Sequence, residues 1–177
     1  RVAAITIGAT KNNDKLCGSS HCSPNRASTA ATPTIAAVTA AGCTKARLPR
    51  SGDAAEVVLM NNAGGLTDGD EITVDVTLGE GAAATVATAS AEKIYRSRGT
   101  ATAIANELSV ADGASLAWLP QETILFDRSR LVRRSRLHLA GSARFLGCES
   151  LVFGRLARGE RVANGLVHDS WRVFRDG

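Results

Sequence analysis

The chain has 177 residues, of which 44% are hydrophobic and 21% charged, and its formal net charge is +4. This length suits one domain with a buried core and argues against a second full domain. Aromatic residues make up only 4% of the chain, too few for the ring-rich surfaces of single-strand nucleic-acid binders. The positive charge therefore favours an acidic protein partner over nucleic acid.

The amino-terminal quarter differs in composition and hydrophobic pattern from the rest of the chain. Residues 1–42 are dominated by small and polar side chains without a period of 2 or 3.6, so the pattern predicts no regular structure there. We interpret them as an atypical segment, disordered or read in a shifted frame, before a β domain over residues 43–177. Because Arg1 is not a methionine, we expect that residue 1 is not the natural start.

The cysteines do not form a regular disulfide framework, which favours reduced thiols in the cytoplasm. Cys17, His21 and Cys22 could form a metal cluster with Cys43, but their spacing matches no standard zinc pattern. We expect incidental clustering instead and assign no confident metal site. The sequence also lacks a signal-peptide pattern and an apolar run able to span a bilayer, so we expect no membrane association.

Strand patterns begin after the amino-terminal segment. Residues 56–60 read as a strand, and the Asn- and Gly-rich residues 61–70 read as a turn region. Residues 71–78 then alternate, with Ile72, Val74, Val76 and Leu78 on one face. This alternation predicts a half-buried strand.

A weak internal repeat follows. Segments 78–82, 110–114 and 139–143 each end one apolar strand with small turn residues and open the next, at spacings of 32 and 29 residues (78 to 110, and 110 to 139). Near-regular spacing predicts hairpin layers stacked on one another, as in a solenoid. The fold class we predict is therefore a mainly β, layered and solenoid-like single domain with few helices.

Two later stretches carry candidate functional groups. Pro120 interrupts the apolar residues around Trp118, which leaves Glu122 and Asp127 at the margins of a strand over residues 123–126. Residues 128–139 form a second, basic strand. We predict a basic partner surface made of Arg133, Arg134, Arg136 and Arg144, with a merely solvated basic face as the alternative.

The sequence contains a partial resemblance to an enzyme motif, but no complete one. The segment Asn61-Asn62-Ala63-Gly64 is similar to one in short-chain dehydrogenases, which would make the chain an NAD(P) oxidoreductase. The glycine-rich turn of such enzymes is missing from residues 8–14, and Tyr95 lacks the lysine that should follow it by one helical turn. No P-loop or nucleophile elbow occurs either. We predict a non-enzymatic protein, with this reductase or a basic nucleic-acid-binding module as alternatives.

Four motifs in register resemble the urease accessory protein family UreD, also called UreH. They are Gly64-Gly-Leu-Thr-Asp-Gly-Asp70, Glu92-Lys-Ile-Tyr-Arg-Ser97, Leu119-Pro-Gln-Glu-Thr-Ile-Leu-Phe-Asp127 and Gly154-Arg-Leu-Ala-Arg-Gly-Glu160. The resemblance covers residues 42–177. It implies structural or binding roles for Gly64, Gly65, Asp70, Lys93, Tyr95, Pro120, Gln121, Gly154, Arg155 and Gly159.

The resemblance also implies a function. Members of the family are non-catalytic chaperones with a layered β fold that bind the urease apoprotein, recruit UreF and the GTPase UreG, and assist nickel delivery to the urease active site. This sequence departs from the family at Asp68, where a glycine is usual and where Asp could adopt a left-handed turn. Its amino terminus does not resemble the family's strand-rich one, and family members continue beyond Gly177.

A protein that passes nickel on should bind it only transiently, which argues against a cage of thiolates or imidazoles. Carboxylates near strand ends are the better candidates for a nickel path: Asp70, Glu92, Glu122, Asp127, Glu149 and Glu160. The alternative is that several are paired with arginines, such as Glu160 with neighbouring Arg161 and Glu92 with Arg96.

Overall fold

The computed structural model describes residues 2–10, 20–21, 34–40, 43–49 and 55–177. This part of the chain is mostly β-strand, with one 3-10 turn at Leu156–Arg158. In chain order the strands are β1 Val2–Thr10, β2 Ser20–His21, β3 Thr34–Ala40, β4 Thr44–Arg47, β5 Ala55–Asn61, β6 Glu71–Leu78, β7 Ala83–Thr88, β8 Glu92–Ile94, β9 Thr102–Val110, β10 Ser115–Leu119, β11 Thr123–Leu125, β12 Arg130–Leu139, β13 Arg144–Gly147, β14 Leu151–Phe153 and β15 Leu166–Arg175.

From β5 onward the described chain winds into four coils. The last three coils each contribute a strand to all three sheets, whereas the first contributes strands to two and meets the third only through a bridge from Leu66 to Ile94. Sheet A contains β6, β9, β12 and β15 side by side and parallel. Sheet B contains β5, β7, β10 and β13, also parallel, with β4 antiparallel at its edge. Sheet C contains β8, β11 and β14. Parallel strands stacked coil on coil make a β-solenoid, which confirms the predicted fold class.

The core fills the inside of the solenoid with rows of apolar side chains from successive coils. Strand β6 alternates exposed and buried residues along its whole length, as its sequence predicts. In one row, Val76, Leu108 and Leu137 lie in register and are 0%, 0% and 1% exposed. Such in-register rows bury each side chain between equivalent ones above and below, which is the main stabilising contribution in a solenoid.

The internal repeat coincides with the coil period. Leu78, Val110 and Leu139 are mutual register partners in sheet A. The last residues of the three segments, Ala82, Ala114 and Ala143, are all buried. Small side chains are needed at this corner because the turns of adjacent coils are hydrogen-bonded to each other, for example from Gly81 N to Asp112 O at 2.9 Å.

The turns do not close hairpins, contrary to the expectation of hairpin layers. β6 pairs with β9 and β1, and β7 pairs with β5 and β10. Each turn therefore carries the chain from sheet A to sheet B instead of back along the same sheet. Strand-turn-strand spacing is the same in both arrangements, so the pattern alone does not separate them.

Strands β1 and β3 extend sheet A on the other side of β6. β1 is antiparallel to β6 and parallel to β3. These strands lie in the segment for which the sequence pattern predicts no regular structure. Cys17 and Cys22 lie outside the described residues, whereas Cys43 and Cys148 are free thiols. No helix in the described part of the chain has the length and apolar character needed to cross a membrane.

Candidate functional site

The four sequence motifs stack above one another at a single corner of the solenoid. Leu66, Ile94, Leu125 and Phe153 occupy equivalent positions, through a parallel bridge in the first step and the register of sheet C in the next two. Backbone hydrogen bonds join Tyr95 N to Leu66 O at 2.7 Å and Gly154 N to Leu125 O at 2.8 Å. The motifs recur because four successive coils form the same corner.

Rings and a guanidinium form a column on the outside of this corner. The Tyr95 hydroxyl donates to Gly64 O at 3.0 Å, and its ring meets Phe126 edge-on with centroids 4.7 Å apart. The guanidinium carbon of Arg155 lies over the Phe126 ring, 4.2 Å from its centroid. The Tyr95 ring packs directly against the backbone of Gly65. A Cβ at this position would lie 2.4 Å from Tyr95 Cε2, and the φ of +144° also favours glycine. A side chain at Gly65 would displace the tyrosine.

The last motif closes the column through two further glycines. A Cβ on Gly154 would lie 2.5 Å from Glu160 O, so the close approach of the two backbones requires glycine. Gly159 ends the 3-10 turn in a left-handed conformation at φ +70°. The turn brings Glu160 back onto Arg155, with Arg155 Nε 2.5 Å from Glu160 Oε2. Glu160 is therefore paired with Arg155, and the expectation of a pair with Arg161 was wrong.

A cavity of about 110 Å³ lies on the inner side of the corner and is bordered by residues of all three sheets. Five of the residues to which the family resemblance assigns roles border it: Gly64, Gly65, Lys93, Pro120 and Gln121. It is also lined by polar side chains from six strands and from the loop between β13 and β14, namely Thr44, Asn61, Glu92, Asn106, Thr123, Arg133 and Glu149. Among the described residues, none hydrogen-bonds the buried Thr44 Oγ1. A polar cavity of this size with an unpaired hydroxyl suits a few ordered waters.

Two of the six candidate carboxylates border this cavity. Asn61 Nδ2 lies 3.1 Å from each carboxylate oxygen of Glu92. The Glu149 carboxylate accepts hydrogen bonds from two indole groups. Trp118 Nε1 donates to Oε1 at 3.0 Å, and Trp171 Nε1 donates to Oε2 at 3.1 Å. Asn61, which the sequence did not suggest, is thus one partner of Glu92.

Arg133 completes the network around Glu149 and corrects the predicted partner surface. Its guanidinium binds both carboxylate oxygens of Asp169, lies 3.1 Å from Glu149 Oε2 and donates to Thr123 Oγ1 at 3.3 Å. The residue is only 5% exposed and cannot form part of a docking surface. Burial opposes its charge, but the hydrogen bond to Asp169 and the charges of Glu149 and Asp169 outweigh burial and raise the pKa of Arg133.

The other three arginines of that prediction are exposed, but on two different sheets. Arg134 and Arg136 point outward from β12 in sheet A, and Arg144 lies on β13 in sheet B. Arg136 pairs with Glu107 of the preceding coil at 2.8 Å. The predicted surface is therefore a pair of outward arginines on sheet A, with Arg144 elsewhere.

The remaining candidate carboxylates lie away from the cavity. Asp70 is 4% exposed and accepts from Thr67 N at 2.9 Å. Asp127 Oδ1 accepts from Asn164 N at 3.0 Å and Ala163 N at 2.8 Å, and these backbone hydrogen bonds lower the pKa of Asp127. Glu122 is half-buried beside β11. Asp70 and Asp127 thus hold loops in place.

Asp68 also holds the chain together across coils. It does not adopt the left-handed conformation that its position suggested. Its carboxylate instead accepts from Ser97 Oγ at 2.5 Å and from Arg98 N at 2.8 Å, and the hydrogen bond from Ser97 is the main cause of its lowered pKa. The positive φ of this turn belongs to Gly69, at 67°.

Sequence reasoning missed two features of the site. Arg133 alternates in phase with the buried Leu131, Ser135 and Leu137, and this period of 2 could have placed it inside. The second feature is Arg128, which has a left-handed φ of 62°. No local pattern of side chains marks that position.

The described residues contain no group of three or more His, Cys, Asp or Glu side chains placed to hold a metal ion. The Asn61–Gly65 segment that resembled a dehydrogenase forms a turn after β5 and leads into a strand, which removes the helix that a dinucleotide site requires. Fold and site together define a β-solenoid whose charged groups connect its coils.

Comparison with known proteins identifies the family. A family model described as UreD urease accessory protein matches residues 25–177. The chain belongs to the UreD family of urease accessory proteins, which confirms the resemblance seen in the motifs. Members of this family are accessory proteins and not enzymes, as the sequence predicted.

Named relatives agree with the family assignment. The chain is 51% identical over 137 residues to urease accessory protein UreD 1 of Methylobacterium radiotolerans, which covers 77% of this chain and 48% of the relative. It is 49% identical over 136 residues to UreD of Xanthobacter autotrophicus, covering 77% and 47%. It is 47% identical over 144 residues to UreD of Azorhizobium caulinodans, covering 81% and 53%. The chain thus spans about half the length of these relatives.

Proposed function

We propose that the protein acts in the cytoplasm as a non-catalytic scaffold that binds the urease apoprotein, together with UreF and the GTPase UreG, and assists nickel insertion. The match of residues 25–177 to the UreD family carries this proposal. The solenoid supports it, because stacked coils offer long, rigid outer faces on which large partners can assemble.

A deletion strain tests this function. Loss of the gene, with the urease subunits intact, should leave little urease activity in limited nickel, and the natural gene product supplied in trans should restore it. Purified gene product should also capture the urease apoprotein, UreF and UreG from a lysate of the same strain. Wild-type urease activity in the deletion strain would contradict the proposal.

We further propose that nickel passes transiently along this protein, with Glu92 as the carboxylate most suited to contact it. Glu92 borders the polar cavity, where Asn61 Nδ2 lies 3.1 Å from each of its carboxylate oxygens. Glu149 borders the same cavity, but Arg133 and two indole groups occupy its oxygens. Carboxylate oxygens hold a divalent ion less tightly than thiolates or imidazoles do, which suits a path better than a store.

Substitution of Glu92 tests whether this residue contacts the passing nickel or has only a structural role. Glu92→Gln keeps the shape and one acceptor for Asn61, so the gene product should still assemble with its partners. The nickel content of the matured urease should fall, whereas the control Glu122→Gln, which lies outside the cavity, should leave it unchanged. Loss of both assembly and nickel would make Glu92 structural, and no effect on either would remove it from the path.

A further inference from the structure

An open groove beside the ring column has a feature that the rest of the structure does not explain. Its lining consists of Tyr95, Arg96, Phe126, Asp127, Arg128 and Glu160. Arg128 adopts φ 62°, a left-handed conformation that is strained for a residue with a Cβ. Glycine or asparagine would occupy this conformation with less strain.

The neighbouring coils hold Arg128 in this conformation from both sides. Its amide donates to Asn164 O at 2.7 Å, and its carbonyl accepts from Ser97 N at 3.0 Å. These are backbone bonds, so they do not require an arginine side chain. The side chain points away from the core and is 57% exposed, with Nε 3.7 Å from Asp127 Oδ2.

The acidic side chains of the groove are better paired than its basic side chains. Asp127 accepts two backbone hydrogen bonds, and Glu160 is bound to Arg155. Within the part of the chain that the structure describes, the guanidinium of Arg96 makes no hydrogen bond or ion pair, and that of Arg128 has only the long contact with Asp127. Two exposed guanidinium groups therefore remain beside the half-exposed ring of Tyr95.

We propose that this groove binds an acidic segment of a partner protein, with a carboxylate on Arg96 and Arg128 and an apolar side chain on the Tyr95 ring. Guanidinium groups bind carboxylates through paired, charge-assisted hydrogen bonds. A nucleic-acid backbone fits less well, because its successive phosphates would also lie against Asp127 and Glu160, whereas a single carboxylate can contact Arg96 and Arg128 alone.

Replacement of Arg128 distinguishes binding from folding. Arg128→Gly and Arg128→Asn remove the charge and relieve the backbone strain, so the thermal midpoint of the gene product should stay the same or rise. Affinity for the partner should nevertheless fall about tenfold, the loss expected for one charge-assisted contact. Arg96→Gln should weaken binding similarly. The control Arg47→Gln removes an exposed arginine from β4, in sheet B, and should have little effect.

The urease apoprotein is the probe, a choice that rests on the proposed function, and the dissociation constant is measured for each variant at low and high salt. Unchanged affinity of Arg96→Gln and Arg128→Gly overturns this proposal alone, as does an equal loss in Arg47→Gln. Wild-type gene product that fails to bind the apoprotein overturns the proposed function as well. If Arg128→Gly loses binding to a short DNA duplex but keeps the apoprotein, the groove takes phosphate and the proposal is wrong.

Discussion

Individual polar residues inside this solenoid join coils that are distant in sequence. Arg133 bridges β12 to Asp169 of β15 and to Glu149 between β13 and β14. Two indole groups satisfy the remaining positions on Glu149. A buried charge is tolerated only when its hydrogen bonds and countercharges are complete, so each member of this network depends on the others.

Removal of Arg133 should therefore destabilise the protein strongly. Arg133→Met leaves the largely buried Glu149 and the partly exposed Asp169 without a cation, and we expect a loss of about 3–5 kcal/mol in the free energy of unfolding. Denaturant titration of the gene product measures this loss. Arg134→Met, the neighbouring outward position, should change stability by no more than about 0.5 kcal/mol. Equal effects of the two substitutions would contradict the buried network.

Asp127 should contribute to the pH dependence of stability. Its folded-state pKa is lowered from 3.8 by the amides of Asn164 and Ala163, so the contribution is complete above that value and is lost as the pH falls through the folded pKa. Asp127→Asn keeps an acceptor but loses the charge. The variant should melt at a lower temperature than wild type at pH 7, and the gap should close in acid. A gap that widens in acid would contradict this assignment.

At the scale of elements, the strands of the last coil differ from their counterparts inside the solenoid. β13, β14 and β15 each form the edge of their sheet. Val173 belongs to the same inward row as the buried Leu137 but is 60% exposed, and Phe153 follows Leu125 and is 55% exposed. An exposed edge with an apolar face favours pairing with another chain.

This chain expressed alone should consequently self-associate or remain insoluble. Val173→Lys places a charge in that row and should increase the soluble, monomeric fraction measured by size-exclusion chromatography. Leu48→Lys adds the same charge at another exposed leucine, outside the last coil, and serves as the control. A monodisperse wild-type monomer, or an equal gain from both variants, would contradict a specific role for this edge.

On the scale of the whole molecule, charge is graded along the outside of sheet A. One outward row runs in register from Asp75 through Glu107 and Arg136 to Arg172, from acidic to basic. Arg134 adds a further positive charge on β12. We expect the basic end of this row to steer an acidic partner, because exposed charges of this kind act mainly on the rate of encounter.

Reversing the charge of the outward arginines should show whether they act on the association rate or on the dissociation rate of the partner. The double variant Arg134→Glu with Arg136→Glu should slow association with the urease apoprotein and make it less salt-sensitive, with little change in the dissociation rate. Arg144→Glu, on the other sheet, should have a smaller effect. Surface plasmon resonance at several salt concentrations gives both rates. Unchanged association at low salt would mean that the basic face is merely solvated.

Local patterns in the sequence were sufficient for most strands from residue 56 onward and for their layered stacking, but not for β1 and β3. Alternation along residues 71–78 and the small turn residues at spacings of 32 and 29 depend on neighbours in the chain, and each coil repeats them. Both features follow from backbone geometry and the burial of one strand face, so they can be read without partners. The four motifs likewise identified the family.

Only the tertiary structure decided what the charged residues do. Arg133 and Arg134 are adjacent and identical in the sequence, yet one lies inside the solenoid and the other in solvent. Asp169, the main partner of Arg133, is 36 residues away, and the register between coils sets that pairing. The stacking of four motifs at one corner and the strained Arg128 also depend on contacts between coils. The sequence by itself determined the strands of the repeating coils and the family, because these depend on local patterns, whereas the site was decided by packing across coils.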